Sequence, residues 1–241
     1  MVICMIKVSS LSVSQRGKVR SHNEDALYSD DQVGIWLVAD GMGGHSSGEV
    51  ASAIATEEIY NSLKNGLKLD HAIIAAHQII RTQGQQSLEQ EGMGTTIVAV
   101  KLEDNEFHVA WVGDSRIYNY HLGRNLTQLS TDHSVVQDMI ARKELTESEA
   151  TTHKQRNLIT QSLGMHRDEL RVGQRTLRPT ANGQLFLCTD GITDYLSTTS
   201  LHKLFDEAKS AEELVISVTD SVLNTEAGDN FSFILINYNV D

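Results

Sequence analysis

Strand-like and helix-like segments occur in separate blocks along this chain of 241 residues. The strand-like runs are rich in β-branched and aromatic residues and cover 7–14, 33–39, 95–100, 107–112, 116–120, 125–129, 170–178, 184–189 and 231–238. Apolar residues three and four positions apart predict helices over 46–59, 69–80, 200–208 and 211–224, the first beginning in a capping box. Blocks of this kind are typical of an α+β domain and not of alternating βαβ units.

Four strand-like runs follow one another between residues 95 and 129 with short turns between them, so we expect an antiparallel meander there. The next segment, 132–164, is polar and has few large apolar residues. We interpret it as a surface insertion in a single domain that spans residues 1–241.

Charge and cysteine content exclude several classes of protein. The chain has 32 acidic and 20 basic residues and a formal charge of −12, which opposes nucleic-acid binding because that binding depends on Lys and Arg. Its two cysteines, Cys4 and Cys188, exclude a disulfide framework and favour a reducing cytoplasm. Residues 1–6 are apolar but lack the features of a signal peptide, and no apolar run is long enough for a bilayer. We expect a cytoplasmic monomer without membrane contact.

Three familiar kinds of active site do not fit the sequence. Residues 43–48 have the glycine spacing of a phosphate-binding loop, but Glu49 stands where that loop needs Lys. Cysteine phosphatase chemistry would need Arg at the positions of Ser10 or Asp194. Zinc catalysis needs closely spaced ligands, and no two of the ten histidines lie within five positions of each other.

Aspartate beside glycine recurs where apolar strands begin or end. The four pairs are Asp40-Gly41, Gly113-Asp114, Asp190-Gly191 and Gly228-Asp229. One such pair usually marks an ordinary turn, but four would bring together carboxylates that repel unless cations neutralise them. Oxygen ligands without imidazole or thiolate select Mg²⁺ or Mn²⁺. The sequence therefore predicts a divalent metal site.

Six short motifs lie between residues 20 and 230. They are Arg20-Ser-His-Asn-Glu-Asp25, Val38-Ala-Asp-Gly-Met-Gly-Gly-His45, Gly92-Met-Gly-Thr-Thr96, Val112-Gly-Asp-Ser-Arg116, Cys188-Thr-Asp-Gly-Ile-Thr-Asp194 and Ala227-Gly-Asp-Asn230. In this order they resemble the motifs of the PPM family of metal-dependent protein phosphatases, the type 2C serine/threonine phosphatases, in its compact bacterial form. Each motif alone carries little information, but together they cover nearly the whole chain.

The resemblance implies an αββα sandwich, in which helices flank two central antiparallel sheets and two Mn²⁺ or Mg²⁺ ions lie between the sheets. By position, Asp40 would bridge both ions and Gly41 would offer its carbonyl. Asp190 and Asp229 would complete the ligand set of one ion.

Further residues obtain roles from the same resemblance. Glu24 and Asp25 would hold metal-bound waters, and Asp114 would bind a third, weaker ion together with Asp190. The segment 132–164 corresponds to a flap beside the metal centre, where Lys154 stands at a position that many relatives give to proline.

Two residues have more than one interpretation. Arg20 would grip two phosphate oxygens, although an Arg before acidic residues can also form a surface ion pair. His45 would either protonate the leaving oxygen or merely cover the site, because it lies three residues beyond the position at which some relatives carry histidine.

We therefore expect a Mg²⁺- or Mn²⁺-dependent phosphatase that acts on phosphoserine and phosphothreonine in proteins and opposes a bacterial Ser/Thr kinase. Water activated by the ions would attack phosphorus directly, without a phosphoenzyme. The alternative is a non-catalytic module of the same fold that binds phosphoproteins. A two-metal nuclease is opposed by the acidic charge balance.

Overall fold

Two antiparallel sheets pack face to face in the computed structural model, which describes residues 6–43, 47–86, 92–121, 125–165 and 169–240. The strands are β1 Ile6–Gln15, β2 Asp25–Asp30, β3 Ile35–Met42, β4 Gly94–Thr95, β5 Ile97–Glu103, β6 Glu106–Val112, β7 Arg116–His121, β8 Leu126–Gln128, β9 Gly173–Leu177, β10 Gly183–Cys188 and β11 Phe231–Val240. The helices are α1 Ser47–Lys64, α2 Leu69–Gln86, α3 Val135–Ala141, α4 Glu147–Ala150, α5 Asp190–Thr193, α6 Thr198–Glu207 and α7 Ala211–Leu223. One sheet has the order β1-β11-β10-β7-β8 and the other β2-β3-β5-β6-β9, with β4 paired to β3.

Alternation of side chains along the strands creates three layers of core. In β3, Trp36 and Val38 face the other sheet and pack in one cluster with Ile234. Ile35 and Leu37 point the opposite way, into the cluster that contains α1 and α2. The outer face of the first sheet packs in the same way on α6 and α7. The predicted α+β class and αββα sandwich are confirmed.

The predicted meander is wrong, because the two hairpins it contains belong to different sheets. β5 pairs with β6 in one sheet, and β7 pairs with β8 in the other. The chain crosses between the sheets at Gly113, whose φ of 103° favours glycine. Most residues of β6 and β7 are buried, so the second hairpin forms a separate layer over the first.

Two short elements near the strand ends are missing from the sequence prediction. β2 has the polar sequence DALYSD and forms because it pairs along its length with the buried strand β3. α5 is a single turn, which is too short for an apolar period to appear. Ser46 of the predicted capping box, residues 1–5 and hence Cys4 lie outside the described residues. Cys188 is a free, buried thiol.

Segment 132–164 contains α3 and α4, and its exposed side chains lie between residues 141 and 158. Ser134 caps α3, and Thr146 forms a capping box with Glu149 at α4. The segment returns to the sandwich at Leu163, which forms a bridge with Thr95.

None of the helices in the described ranges has the length and apolar character needed to cross a membrane.

Candidate metal centre

Five aspartates lie near one another where strands of both sheets begin or end. Asp25 and Asp40 are direct partners in the β2–β3 ladder. Asp190 lies two residues after β10 and begins α5, Asp229 lies two residues before β11, and Asp114 lies in the crossover from β6 to β7. Electrostatic interactions join Asp40 to Asp25, Asp114 and Asp190, and join Asp190 to Asp229. The aspartates selected from the sequence therefore form one acidic cluster.

Burial raises the pKa of four of these carboxyl groups, and the charges of their neighbours raise it further. The pKa of Asp190 rises to about 6, that of Asp25 to about 7 and that of Asp114 to about 8. The pKa of Asp40 rises well above its usual value, through burial first and the charge of Asp190 second. Ionisation of the whole cluster is therefore unfavourable unless a cation compensates for it.

The Asp25 carboxyl group is only partly satisfied. Its Oδ2 accepts a hydrogen bond from Thr189 Oγ1 at 3.1 Å. Its Oδ1 is buried and has no hydrogen-bond partner among the described residues. A buried carboxylate oxygen without a donor is unusual, and it indicates a place for a cation or a metal-held water.

Gly41 lies where three segments of main chain come close together. A Cβ at this position would overlap the Gly48 carbonyl oxygen and would lie 2.5 Å from that of Glu24. The Gly41 amide also donates to Glu24 O at 3.1 Å. A glycine is therefore required here by the close approach of the first turn of α1 and of the chain before β2. Its expected role as a carbonyl ligand of a metal ion stays a prediction.

Arg20 and Asp229 form an ion pair at the rim of the cluster. Arg20 Nη2 lies 2.8 Å from Asp229 Oδ2, and both side chains are half-exposed. The bond to Asp229 raises the pKa of Arg20, and Glu24 and Asp40 contribute to this shift. The family resemblance implies phosphate as the partner of Arg20 and a metal ion as the partner of Asp229, whereas here the two side chains bind each other. In the described part of the chain, no three acidic, histidine or cysteine side chains meet closely enough to share an ion.

Asn230 holds the loop that carries Arg20 and Glu24, a role that sequence analysis missed. Its Oδ1 accepts from the Glu24 amide at 2.9 Å, and its Nδ2 donates to the carbonyl oxygens of Arg16 and His22, each at 2.9 Å. The one available signal was its position beside Asp229 in the last motif.

The segment 132–164 contacts the edge of the cluster. Asn157, in the segment 132–164, donates to Asp194 Oδ2 at 3.1 Å, four residues from Asp190. His45 lies outside the described residues, and its role stays a prediction.

Comparison with known proteins gives an independent result. A family model described as Protein phosphatase 2C matches residues 15–225. The serine/threonine protein phosphatase PstP of Mycobacterium tuberculosis is 35% identical over 211 residues, which are 84% of this chain and 40% of that protein. The serine/threonine phosphatase stp of Listeria welshimeri is 30% identical over 247 residues, 94% of each chain. This chain thus spans less than half of the mycobacterial relative and nearly all of the listerial one.

Solved structures share the fold over almost the whole chain. The Mycobacterium tuberculosis phosphatase PstP/Ppp superposes with a TM-score of 0.86 at 30% identity and covers 97% of this chain and 99% of its own. The catalytic domain of PstP in complex with two manganese ions gives a TM-score of 0.83 at 29% identity and covers 98% and 100%.

Proposed function

Because this chain belongs to the protein phosphatase 2C family, we propose that it hydrolyses phosphoserine and phosphothreonine in proteins with Mg²⁺ or Mn²⁺ at a binuclear centre. The acidic cluster carries the proposal, because Asp40, Asp190 and Asp229 would supply the oxygen ligands that such a centre needs. The two manganese ions bound by PstP, a relative of the same fold, support it.

The cluster suits hard divalent ions. Its donors are oxygen atoms, its carboxyl groups have a raised pKa that a cation would lower again, and Asp25 Oδ1 needs a partner. The assignments are Asp40 as the bridge, the Gly41 carbonyl, Asp190 and Asp229 as further ligands, and Glu24 and Asp25 as acceptors for metal-bound waters. Asp114 would hold a third, weaker ion with Asp190.

When bound, the ions supply Lewis acidity that lowers the pKa of water and makes it a nucleophile near neutral pH. Arg20 orients the phosphoryl group. Its planar fork can bind two phosphate oxygens and balance the charge that develops during attack. Arg20 would have to exchange its bond to Asp229 for the phosphate, and Asp229 would be one of the residues that hold the ions.

His45 would give the leaving serine or threonine oxygen its proton, or would cover the site. The substrates are phosphoproteins, and a bacterial Ser/Thr kinase supplies them. The monomeric state and the cytoplasmic location rest on the sequence alone.

Phosphate release from a phosphothreonine peptide tests the proposal. We expect release with Mn²⁺ or Mg²⁺, none in excess chelator, and recovery when Mn²⁺ is returned. A circular dichroism spectrum in chelator is the control for unfolding. Peptide binding without release in every condition would identify a non-catalytic binding module, and full release in excess chelator would exclude metal-dependent chemistry.

A further inference from the structure

Hydrogen bonds to Thr95 and Thr96, at the junction of β4 and β5, hold the main chain of Asp40. The Asp40 amide donates to Thr96 Oγ1 at 3.0 Å. The Asp40 carbonyl accepts from the Thr96 amide at 2.8 Å and from Thr95 Oγ1 at 2.8 Å. Both threonines are fully buried. Asp40 is therefore held by its backbone, independently of the contacts of its carboxyl group.

The same Thr96 hydroxyl reaches the crossover that carries Asp114. Thr96 Oγ1 lies 2.7 Å from Ser115 Oγ, and Ser115 is also buried. The crossover comes so close that a Cβ on Gly113 would lie 2.6 Å from Thr96 Cγ2. On its other side, the Gly113 amide donates to His133 Nδ1 at 3.2 Å. One threonine thus joins the strand of Asp40 to the segment of Asp114.

We propose that Thr96 is a positioning residue whose bond to Ser115 fixes the separation of Asp40 and Asp114 and thereby sets the affinity of the site for divalent ions. The inference rests on the proposed function. Two carboxylates that repel each other move apart unless their backbones are fixed, and an ion then has to supply the energy that draws them together. If the separation of the two carboxylates is already fixed by the backbone, ion binding does not have to supply that energy. Thr96 contacts no ion or substrate in this scheme.

Mn²⁺ binding measured by titration calorimetry tests the proposal with four variants and one control. Thr96→Val removes the hydroxyl and keeps the shape, Ser115→Ala removes the other end of the bond, and the double variant completes a cycle. Thr96→Ser keeps the hydroxyl and should restore binding. Thr56→Val is the matched control, because Thr56 is a buried threonine of α1 whose hydroxyl bonds only to carbonyls of its own helix.

We expect Thr96→Val and Ser115→Ala each to weaken Mn²⁺ binding about 10- to 100-fold, as loss of residues that support metal ligands does. Thr96→Val also removes the acceptor of the Asp40 amide, so its loss should be the larger of the two. The double variant should be little worse than Thr96→Val, since Ser115→Ala removes a bond that Thr96→Val has already broken. Thr96→Ser and Thr56→Val should bind within about twofold of wild type.

Unchanged Mn²⁺ affinity in both single variants would overturn the proposal, and so would an equal loss in Thr56→Val, which would indicate a general effect of lost stability. Additive losses in the double variant would show that the hydroxyls act separately, against the proposal. If Thr96→Val does not fold, Ser115→Ala decides alone. A wild-type protein that binds no Mn²⁺ would remove the proposed function itself, which is a different outcome.

Discussion

The acidic cluster and the neighbouring segment 132–164 are held in place by different kinds of contact. In the cluster, hydrogen bonds fix the main chain on both sides of the carboxylates. Asp40 is clamped by Thr95 and Thr96, and Gly113, beside Asp114, is clamped by His133. These groups lie at the ends of buried strands.

Segment 132–164 is tied down mainly at its two ends. Asp132 accepts three hydrogen bonds from Arg116 at 2.6 to 3.0 Å, and Leu163 forms a bridge with Thr95. Between these ends, Asn157 donates a hydrogen bond to Asp194, while most side chains of 141–158 face solvent.

The contrast indicates that catalysis depends on the acidic cluster and that the access of protein substrates depends on the segment 132–164. A substitution in the cluster should change the rate for every substrate, since it alters metal or phosphate binding. A substitution in the middle of 132–164 should change only how well proteins fit, because exposed segments with few buried contacts carry little of the framework.

Asp190→Asn should show the largest effect. The variant keeps the shape of the side chain and loses a ligand charge, so we expect a folded protein whose kcat falls at least about a thousandfold, because activation of water by a metal is worth several kcal/mol. Asp220→Asn makes the same change on the exposed face of α7 and should be neutral. Wild-type turnover in Asp190→Asn would contradict the metal assignment.

His45→Ala should come next and should depend on the leaving group. We expect a loss of about 100-fold on a phosphopeptide, the lower end for general acids, and much less on an aryl phosphate, because a phenolate leaves without a proton. Equal losses on both substrates would assign His45 a covering role.

Arg20→Ala should weaken substrate capture. Loss of charge-assisted hydrogen bonds worth about 1.5 to 3 kcal/mol should lower kcat/KM about 10- to 100-fold. Arg20→Lys keeps the charge without the fork and should fall between wild type and alanine. Unchanged kcat/KM in Arg20→Ala would leave Arg20 as a surface partner of Asp229.

The raised pKa values predict a pH dependence of the metal-free protein. Asp190, Asp25 and Asp114 have folded pKa values of about 6, 7 and 8, above the usual carboxyl value of 3.8. The folded protein therefore binds more protons than the unfolded chain. These carboxyl groups stabilise the folded state fully below about pH 4, and that stabilisation is lost as pH rises through 6 to 8.

Thermal unfolding in chelator should give a lower Tm at pH 8 than at pH 6. Saturating Mn²⁺ should reduce the difference, and Asp114→Asn should reduce it without metal. A Tm in chelator that rises from pH 6 to pH 8 would show that these carboxyl groups do not control stability.

Four of the five aspartates could be found from sequence because each lies beside glycine where an apolar strand begins or ends, which is a local pattern. Asp25 has no such neighbour, and its role is implied by the family resemblance alone. The ion pair of Arg20 with Asp229 could not be predicted from sequence, because it depends on hydrogen bonds of Asn230 to a loop more than 200 residues away. The crossover at Gly113 looks like a hairpin turn, because nothing local tells which sheet the next strand joins. β2 owes its structure to pairing with β3, and its own sequence is too polar to predict it.

The smallest effect should come from the exposed cations of segment 132–164, and it should depend on the substrate. Lys154 and Arg156 lie in an exposed stretch near Asp194, where Arg156 lowers the pKa of Asp194 against its burial. Part of the Arg156 charge is therefore already compensated, while Lys154 is available to acidic residues that flank a phosphosite. We expect Lys154→Ala with Arg156→Ala to keep aryl phosphate hydrolysis within about twofold and to lower kcat/KM on acidic phosphopeptides, less at high salt because ions screen the attraction.

The matched control for this pair is Arg142→Ala, which removes a cation of the same segment that Glu144 already neutralises at 2.8 Å and should change neither substrate. Separate variants sharpen the test, since Lys154→Ala should account for more of the loss than Arg156→Ala. If aryl phosphate and phosphopeptide suffer alike, the segment is part of the catalytic framework, and the contrast between the two regions fails. If neither changes, the segment is a solvated loop that selects nothing.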